Sequence, residues 1–151
     1  MRGQLSIEFM IVLTGLLLIV ATVTMPLYEQ ARADATRMNE LTSAKEAIND
    51  IANALNTVYA GGVGSRQTIE YWLPNDVISI SFVEGDENRL DVEMKLNSEN
   101  AMRATTILPW RTDENQVVVD NENFSLTQGL HRMSFTYLYQ DHLRVIRIEE
   151  V

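Results

Sequence analysis

The sequence predicts an α+β chain in which one long N-terminal α-helix, with an apolar half and an amphipathic half, packs on a C-terminal antiparallel β-sheet head domain. Three observations carry this. From Phe9 to Leu27 there are 19 residues without a charge. From Leu27 to Val58 apolar residues recur in steps of three and four, the spacing of one helix face. From Thr68 onward, short β-forming runs alternate with turn clusters, and no second long helix follows.

Composition sets the bounds. At 151 residues the chain has room for one domain, or one domain and an appendage. With 46% hydrophobic and 22% charged residues it is neither a disordered acidic tail nor a fibrous repeat. Its net charge of −9 argues against a nucleic-acid partner, since the bulk field repels phosphate. The absence of Cys excludes disulfides, thiolate chemistry and Cys-based metal sites. The mean hydropathy of −0.09 is that of a soluble protein, yet the apolar residues crowd at the N-terminus.

As a helix, 19 residues span roughly 28 Å, close to the ~30 Å hydrocarbon core of a bilayer. A buried core helix would carry a polar stripe, and this run has none. A cleaved secretory signal fits poorly. Its basic region is only Met1-Arg2-Gly3, the apolar run is too long, and the bulky Met25-Pro26-Leu27-Tyr28 follows it in place of a small-x-small site. Arg2 and the start amine precede the run, so the N-terminus is read as cytoplasmic and the remainder as external.

Glu8 stands one position before the apolar run, where a carboxylate is costly unless it is paired or at the interface. Around it the order is a short basic leader, Gly3, then Gln4-Leu5-Ser6-Ile7-Glu8-Phe9 entering the span. This stretch resembles the class III signal peptide of archaeal type IV pilin-like proteins, the prepilin family. The resemblance implies cleavage between Gly3 and Gln4 by a membrane-embedded prepilin peptidase. Gln4 becomes the new N-terminus, Ser6 matches the motif Ser, and Glu8 is the acid five residues into the mature chain. The leader has a single basic residue where such leaders often have more. The resemblance further implies a single-pass membrane precursor that assembles through its N-terminal helix into an extracellular filament. Assembly would use Gln4, Glu8 and Phe9, with a pilus assembly ATPase, a membrane platform protein and other copies of the chain as partners. A free amine on Gln4 can pair with Glu8 of a neighbouring subunit, or with its own Glu8 at the i, i+4 spacing. Such a pair inside an apolar bundle sets register, because mispairing leaves a buried charge uncompensated.

On this reading residues 1–3 are the leader, 4–28 the transmembrane or filament-core helix, 29–62 its amphipathic continuation and 63–151 the β head. Beyond the span, Leu27, Ala31, Ala35, Met38, Leu41, Ala44, Ile48, Ile51, Leu55 and Val58 form one face. Glu29, Arg32, Arg37, Glu40, Lys45, Glu46, Asn49 and Asn53 form the other. Gly61-Gly62 is a C-terminal stop, giving a helix from about Gln4 to Ala60, on the order of 85 Å long. Pro26 is expected to kink or locally melt it, and Gly15 is a weak point or a close-packing site between helices.

In the head, Thr68–Leu73 and Val77–Val83 flank the turn Pro74-Asn75-Asp76. Gly85-Asp86-Glu87-Asn88 leads as a hairpin into Leu90–Leu96, whose apolar residues alternate with Asp91, Glu93 and Lys95. Met102–Leu108 and Gln116–Asp120 flank a polar turn at 112–115, and Arg132–Tyr139 and Leu143–Ile148 flank Gln140-Asp141-His142. Five to seven strands in a meander are expected, one face covering the helix between Leu41 and Val58. The phrase Gly61-Gly62-Val63-Gly64-Ser65-Arg66, followed by a strand and Pro74, is also similar to the heads of archaeal class III signal peptide proteins.

No catalytic, metal or cofactor site is expected. His131 and His142 are the only histidines, and no nucleophile elbow appears. Gly61–Gly64 lacks the strand–loop–helix context of a phosphate loop. Asp120-Asn121-Glu122-Asn123 lacks the spacing of a calcium loop and reads as a solvated turn. Asn123-Phe124-Ser125 is the one N-glycosylation sequon, and an external head makes Asn123 a candidate for modification. The head, residues 63–151, carries −7 of the net −9. The functional expectation is a pilin-like structural subunit of an adhesive or surface-attachment filament, with no enzymatic activity. The alternative is a minor or solitary N-terminally membrane-anchored binding protein displaying an extracellular β domain. For it, Trp72, Trp110, Tyr137 or Tyr139 would have to form an exposed patch, and each is expected to fill the core instead.

Overall fold

A computed structural model describes residues 2–97, 101–110, 117–121, 127–140 and 143–151, with side chains from Ile7 onward and those of 117–121 excepted. The chain divides into two units, Met1–Asn39 and Glu40–Val151. Helix α1 spans Arg2–Gly61, close to the expected bounds. The local melting expected at Pro26 does not occur, and the helix continues on both sides. A proline removes one N–H, and the hydrogen bonds of the adjoining turns remain.

In the second unit, the face of α1 formed by Ala44, Ala47, Ile48, Ile51, Ala52, Ala54, Leu55 and Val58 is buried, and Lys45, Glu46, Asn49 and Asn53 are exposed. The helix stops where only glycine is comfortable. Gly62 has φ +77 and its N–H donates to the Tyr59 carbonyl at 3.2 Å. The Ser65 hydroxyl turns back to donate to the Val58 carbonyl, one of the acceptors a helix end leaves open. Gly64, at φ +96, donates to the Tyr137 carbonyl at 2.7 Å and starts the chain into its first strand.

Seven strands follow: β1 Arg66–Leu73, β2 Val77–Glu84, β3 Arg89–Leu96, β4 Ala101–Pro109, β5 Val117–Asn121, β6 Gly129–Gln140 and β7 Leu143–Glu150. They form two sheets, in the orders β1-β6-β7-β5 and β2-β3-β4. The expected meander holds within β2-β3-β4 and for β6-β7, and fails elsewhere. β1 pairs antiparallel with β6, Arg66 opposite Thr136 and Leu73 opposite Gly129, rather than with β2. β5 runs parallel to β7, Val117 opposite Arg144. Pro74 lacks the N–H that a ladder needs, and the turn after it moves the chain from one sheet to the other. The connections at 111–116 and 141–142 lie outside the described residues.

Both sheets and the helix share one core, which includes Leu73, Val92, Met94, Leu108, Phe135 and Ile148 with the buried helix face. One hydrogen bond ties the helix to the three-stranded sheet, where the ladder is irregular. The β3–β4 register shifts between Arg89 and Asp91, leaving β4 backbone groups unmatched. Thr106 fills the gap: its hydroxyl donates to the Leu90 carbonyl at 2.7 Å and accepts from the Leu108 N–H at 3.1 Å. The next orphan, the Ile107 N–H, donates to Asn56 Oδ1 of α1 at 2.8 Å. On the other sheet, the Tyr59 ring lies 6.0 Å from that of Tyr137.

Four of the buried helix residues are alanine, and Ala54 is fully buried. In a chain lacking residues 1–28, Ala54→Leu is expected to lower head stability by about 1–3 kcal/mol through overpacking, read as a lower urea midpoint with unchanged slope.

Candidate functional site

In the first unit, every side chain from Ile7 to Asn39 is exposed except Gly15, which is half-buried. Phe9, Ile11 and Ile19 each expose about two thirds of their surface. The segment is long and apolar enough to cross a membrane. The threonine hydroxyls of its apolar stretch are already satisfied along the helix. Thr14 donates to the Met10 carbonyl at 2.7 Å, Thr22 to Ile19 at 2.8 Å and Thr24 to Val20 at 2.8 Å. A helix whose polar side chains bond back to its own carbonyls carries no stranded donor into an apolar medium.

Glu8 is the exception. It is exposed and makes no ion pair among the described residues. The backbone of Gly3 and Gln4 belongs to α1, which places Gln4 and Glu8 one turn apart on a common face. The side chains of Gln4 and Ser6 are outside the described residues. Beside Gly15 there is a shallow notch of about 510 Å³ lined by Ile7, Met10, Ile11, Thr14 and Leu18. A Cβ added at Gly15 would meet nothing within 4 Å. Nothing within a single chain therefore requires the glycine, and a close neighbouring helix would.

The head was expected to bury its aromatic residues, and it does so only in part. Tyr137 is buried and Trp110 packs half-buried on the core, while Trp72 is 51% and Tyr139 61% exposed. Trp72 follows strand alternation: Tyr71 and Leu73 point inward, so Trp72 points out, opposite the exposed Leu130 of β6. Beside this pair Glu70 and Arg132 join in a salt bridge across the same two strands. Tyr139 shares the inward parity of Tyr137 but lies where β6 runs past the core.

His131 is buried, with Nδ1 2.7 Å from Glu150 Oε1 and Nε2 2.7 Å from the Thr127 carbonyl. Both ring nitrogens are engaged, so neither is open to a substrate. Tyr71 stacks on the imidazole with centroids 5.8 Å apart. Burial first, then the Glu150 carboxylate, pushes the Tyr71 phenol well above its ordinary pKa, so it stays neutral. No three His, Asp or Glu side chains among the described residues are grouped to hold a metal. Asp120 and Asn121 end strand β5, which corrects their reading as part of a turn. Glu122, Asn123 and His142 lie outside the described residues.

No protein-family model matches the chain, and no curated protein and no solved structure matches it.

On the three-stranded sheet, two carboxylates are buried side by side on β3. Glu93 is held by Arg103 Nε at 2.7 Å and Lys95 Nζ at 3.7 Å. Asp91 is 6% exposed, and its Oδ1 is buried without a hydrogen-bond partner. It lies flat against Gly85, whose added Cβ would stand 2.2 Å from the Asp91 Cγ. Gly85→Ala is therefore expected to destabilise the head by about 1–3 kcal/mol, measured by chemical denaturation, since a short buried side chain has nowhere to retreat.

Proposed function

We propose that the chain is a pilin-like structural subunit. It is made as a membrane precursor with its N-terminus in the cytoplasm and is cleaved between Gly3 and Gln4 by a prepilin peptidase. It then assembles through α1 into an extracellular filament. One observation carries this reading: an apolar helical stretch, Phe9 to Leu27, exposed except at Gly15, in a chain whose second unit completes its own core without it. Such a segment needs an apolar environment from elsewhere. A bilayer supplies one before assembly, and the packed helices of other subunits supply one afterwards. In this reading Gly15 admits a neighbouring helix, Phe9 packs against it, and Glu8 pairs with the Gln4 amine. The other components, an assembly ATPase and a membrane platform protein, follow from the resemblance of residues 2–9 to the prepilin motif. The head then faces outward and serves surface attachment, with Asn123 a candidate for glycosylation.

The exposed Trp72 and its neighbour Leu130 favour a second reading, a minor or solitary membrane-anchored protein whose head binds a surface partner. The two differ in whether α1 ends up surrounded by lipid or by other copies of itself.

Intact mass and N-terminal sequencing of the native protein from the cell surface are expected to give a mature chain beginning at Gln4. A chain beginning at Met1 and confined to the membrane overturns the filament reading. Glu8→Ala is expected to leave membrane insertion intact and to reduce filament yield by roughly tenfold or more, because an unpaired amine would be left in the apolar bundle. Normal filaments from that variant would rule out the ion pair.

A further inference from the structure

His131 stands at the start of β6, between a carbonyl, which can only accept a hydrogen bond, and a carboxylate, which accepts while it is ionised. Glu150 Oε1, near the end of β7, lies 2.7 Å from Nδ1. The Thr127 carbonyl, just before β6, lies 2.7 Å from Nε2. A neutral imidazole has one N–H and one lone pair. With a carboxylate on one side and a carbonyl on the other, the neutral ring would set a lone pair against an acceptor at hydrogen-bond distance. The imidazolium has two N–H groups and satisfies both. The His131 side chain is 7% exposed, and its two partners reach the surface, so the mismatch falls on the ring itself. Around the ring, β7 contributes the Glu150 carboxylate and β1 contributes the Tyr71 phenol, stacked on its face. The Glu150 carboxylate neutralises the imidazolium, and the neutral phenol adds no competing charge.

We propose that His131 is a proton-dependent clasp: as the imidazolium it holds the last strand through Glu150 and the Thr127 backbone at the same time, and on losing its proton it must release one of them. The Thr127 carbonyl is the partner released, because the bond to a carboxylate is the stronger of the two. The clasp therefore fastens the residues entering β6 while the ring carries both protons and frees them when one is lost as pH rises. This holds whether the chain works in a filament or as a single anchored protein.

The test is nitrogen NMR of the full chain in detergent micelles, labelled at histidine, with His142→Gln used to assign the two rings. Both ring nitrogens of His131 are expected to be protonated on the acid side, with slowly exchanging N–H protons. An unprotonated Nδ1 there, with the proton on Glu150 instead, overturns the clasp. So does a neutral ring throughout the pH range in which the fold persists. The second measurement is amide exchange at 127–129, corrected for the intrinsic effect of pH. Opening there is expected to increase by about tenfold or more as the proton is lost, the scale of one charge-assisted hydrogen bond. Glu150→Gln keeps an acceptor without the charge, and is expected to move the change to lower pH. Exchange at 127–129 that ignores pH, in a chain whose His131 is seen to titrate, overturns the proposal.

Discussion

The head is organised by how closely two sheets can approach one helix. Ala44, Ala47, Ala52 and Ala54 put little side-chain volume between the α1 backbone and its neighbours, and Ile48, Ile51, Leu55 and Val58 fill the space between the alanines. Close approach is what lets a side chain as short as Asn56 reach the backbone of β4, and the Tyr59 ring reach Tyr137 on the other sheet. The β4 irregularity would otherwise leave the N–H groups of Ile107 and Leu108 without a ladder partner, the second of them buried. Thr106 and Asn56 complete that account from opposite sides of the interface. The helix thus supplies both the apolar floor of the core and a hydrogen bond that the sheet cannot make for itself.

Those features differ in how legible they are from sequence. The helix face could be read because its period is local: Leu41, Ala44, Ile48, Ile51, Leu55 and Val58 mark it in steps of three and four. Strand positions could be read for the same reason, and β3 is the clearest case. Strand partners could not, because alternation separates the two faces of a strand and says nothing about which strand lies beside it; in β3 even Asp91 and Glu93, on the polar face, are buried. The β1–β6 pairing joins residues 56 to 70 apart, and the parallel β5–β7 pairing needs a crossover that encloses β6. Proximity favoured a hairpin across Pro74, whereas Leu73 and Val77, on its two sides, are both buried in strands of different sheets.

The exposed tryptophan was legible and was misjudged. Ile69, Tyr71 and Leu73 are in phase along β1, which puts Trp72 on the opposite face whatever its hydrophobicity. Residue type suggested core, position in the strand required surface, and position prevailed because flipping Trp72 inward would expose Tyr71 and Leu73 together. The His131 arrangement had no such signal. Its partners are four residues back and nineteen residues on, and only the fold brings a carbonyl and a carboxylate to the two sides of one ring.

The helix itself obeys two sets of rules along one continuous stretch of backbone. From Ala44 onward its apolar residues are confined to a face, because the head covers only that face. Between Phe9 and Leu27 they occupy every side, and the three threonines that interrupt them bond back to the helix and present little polarity outward. A helix apolar all round is stable only where its whole circumference is dry. Covering one face, as the sheets do further along, would leave the others wet. Full enclosure by lipid or by several helices is the condition that this pattern fits, and Glu8 sits one residue from its edge. There a carboxylate is tolerable at a membrane interface and becomes specific only when a positive group is brought to it. The N-terminal segment is thus long and apolar enough to cross a membrane, with the acid Glu8 held at the edge of the apolar stretch.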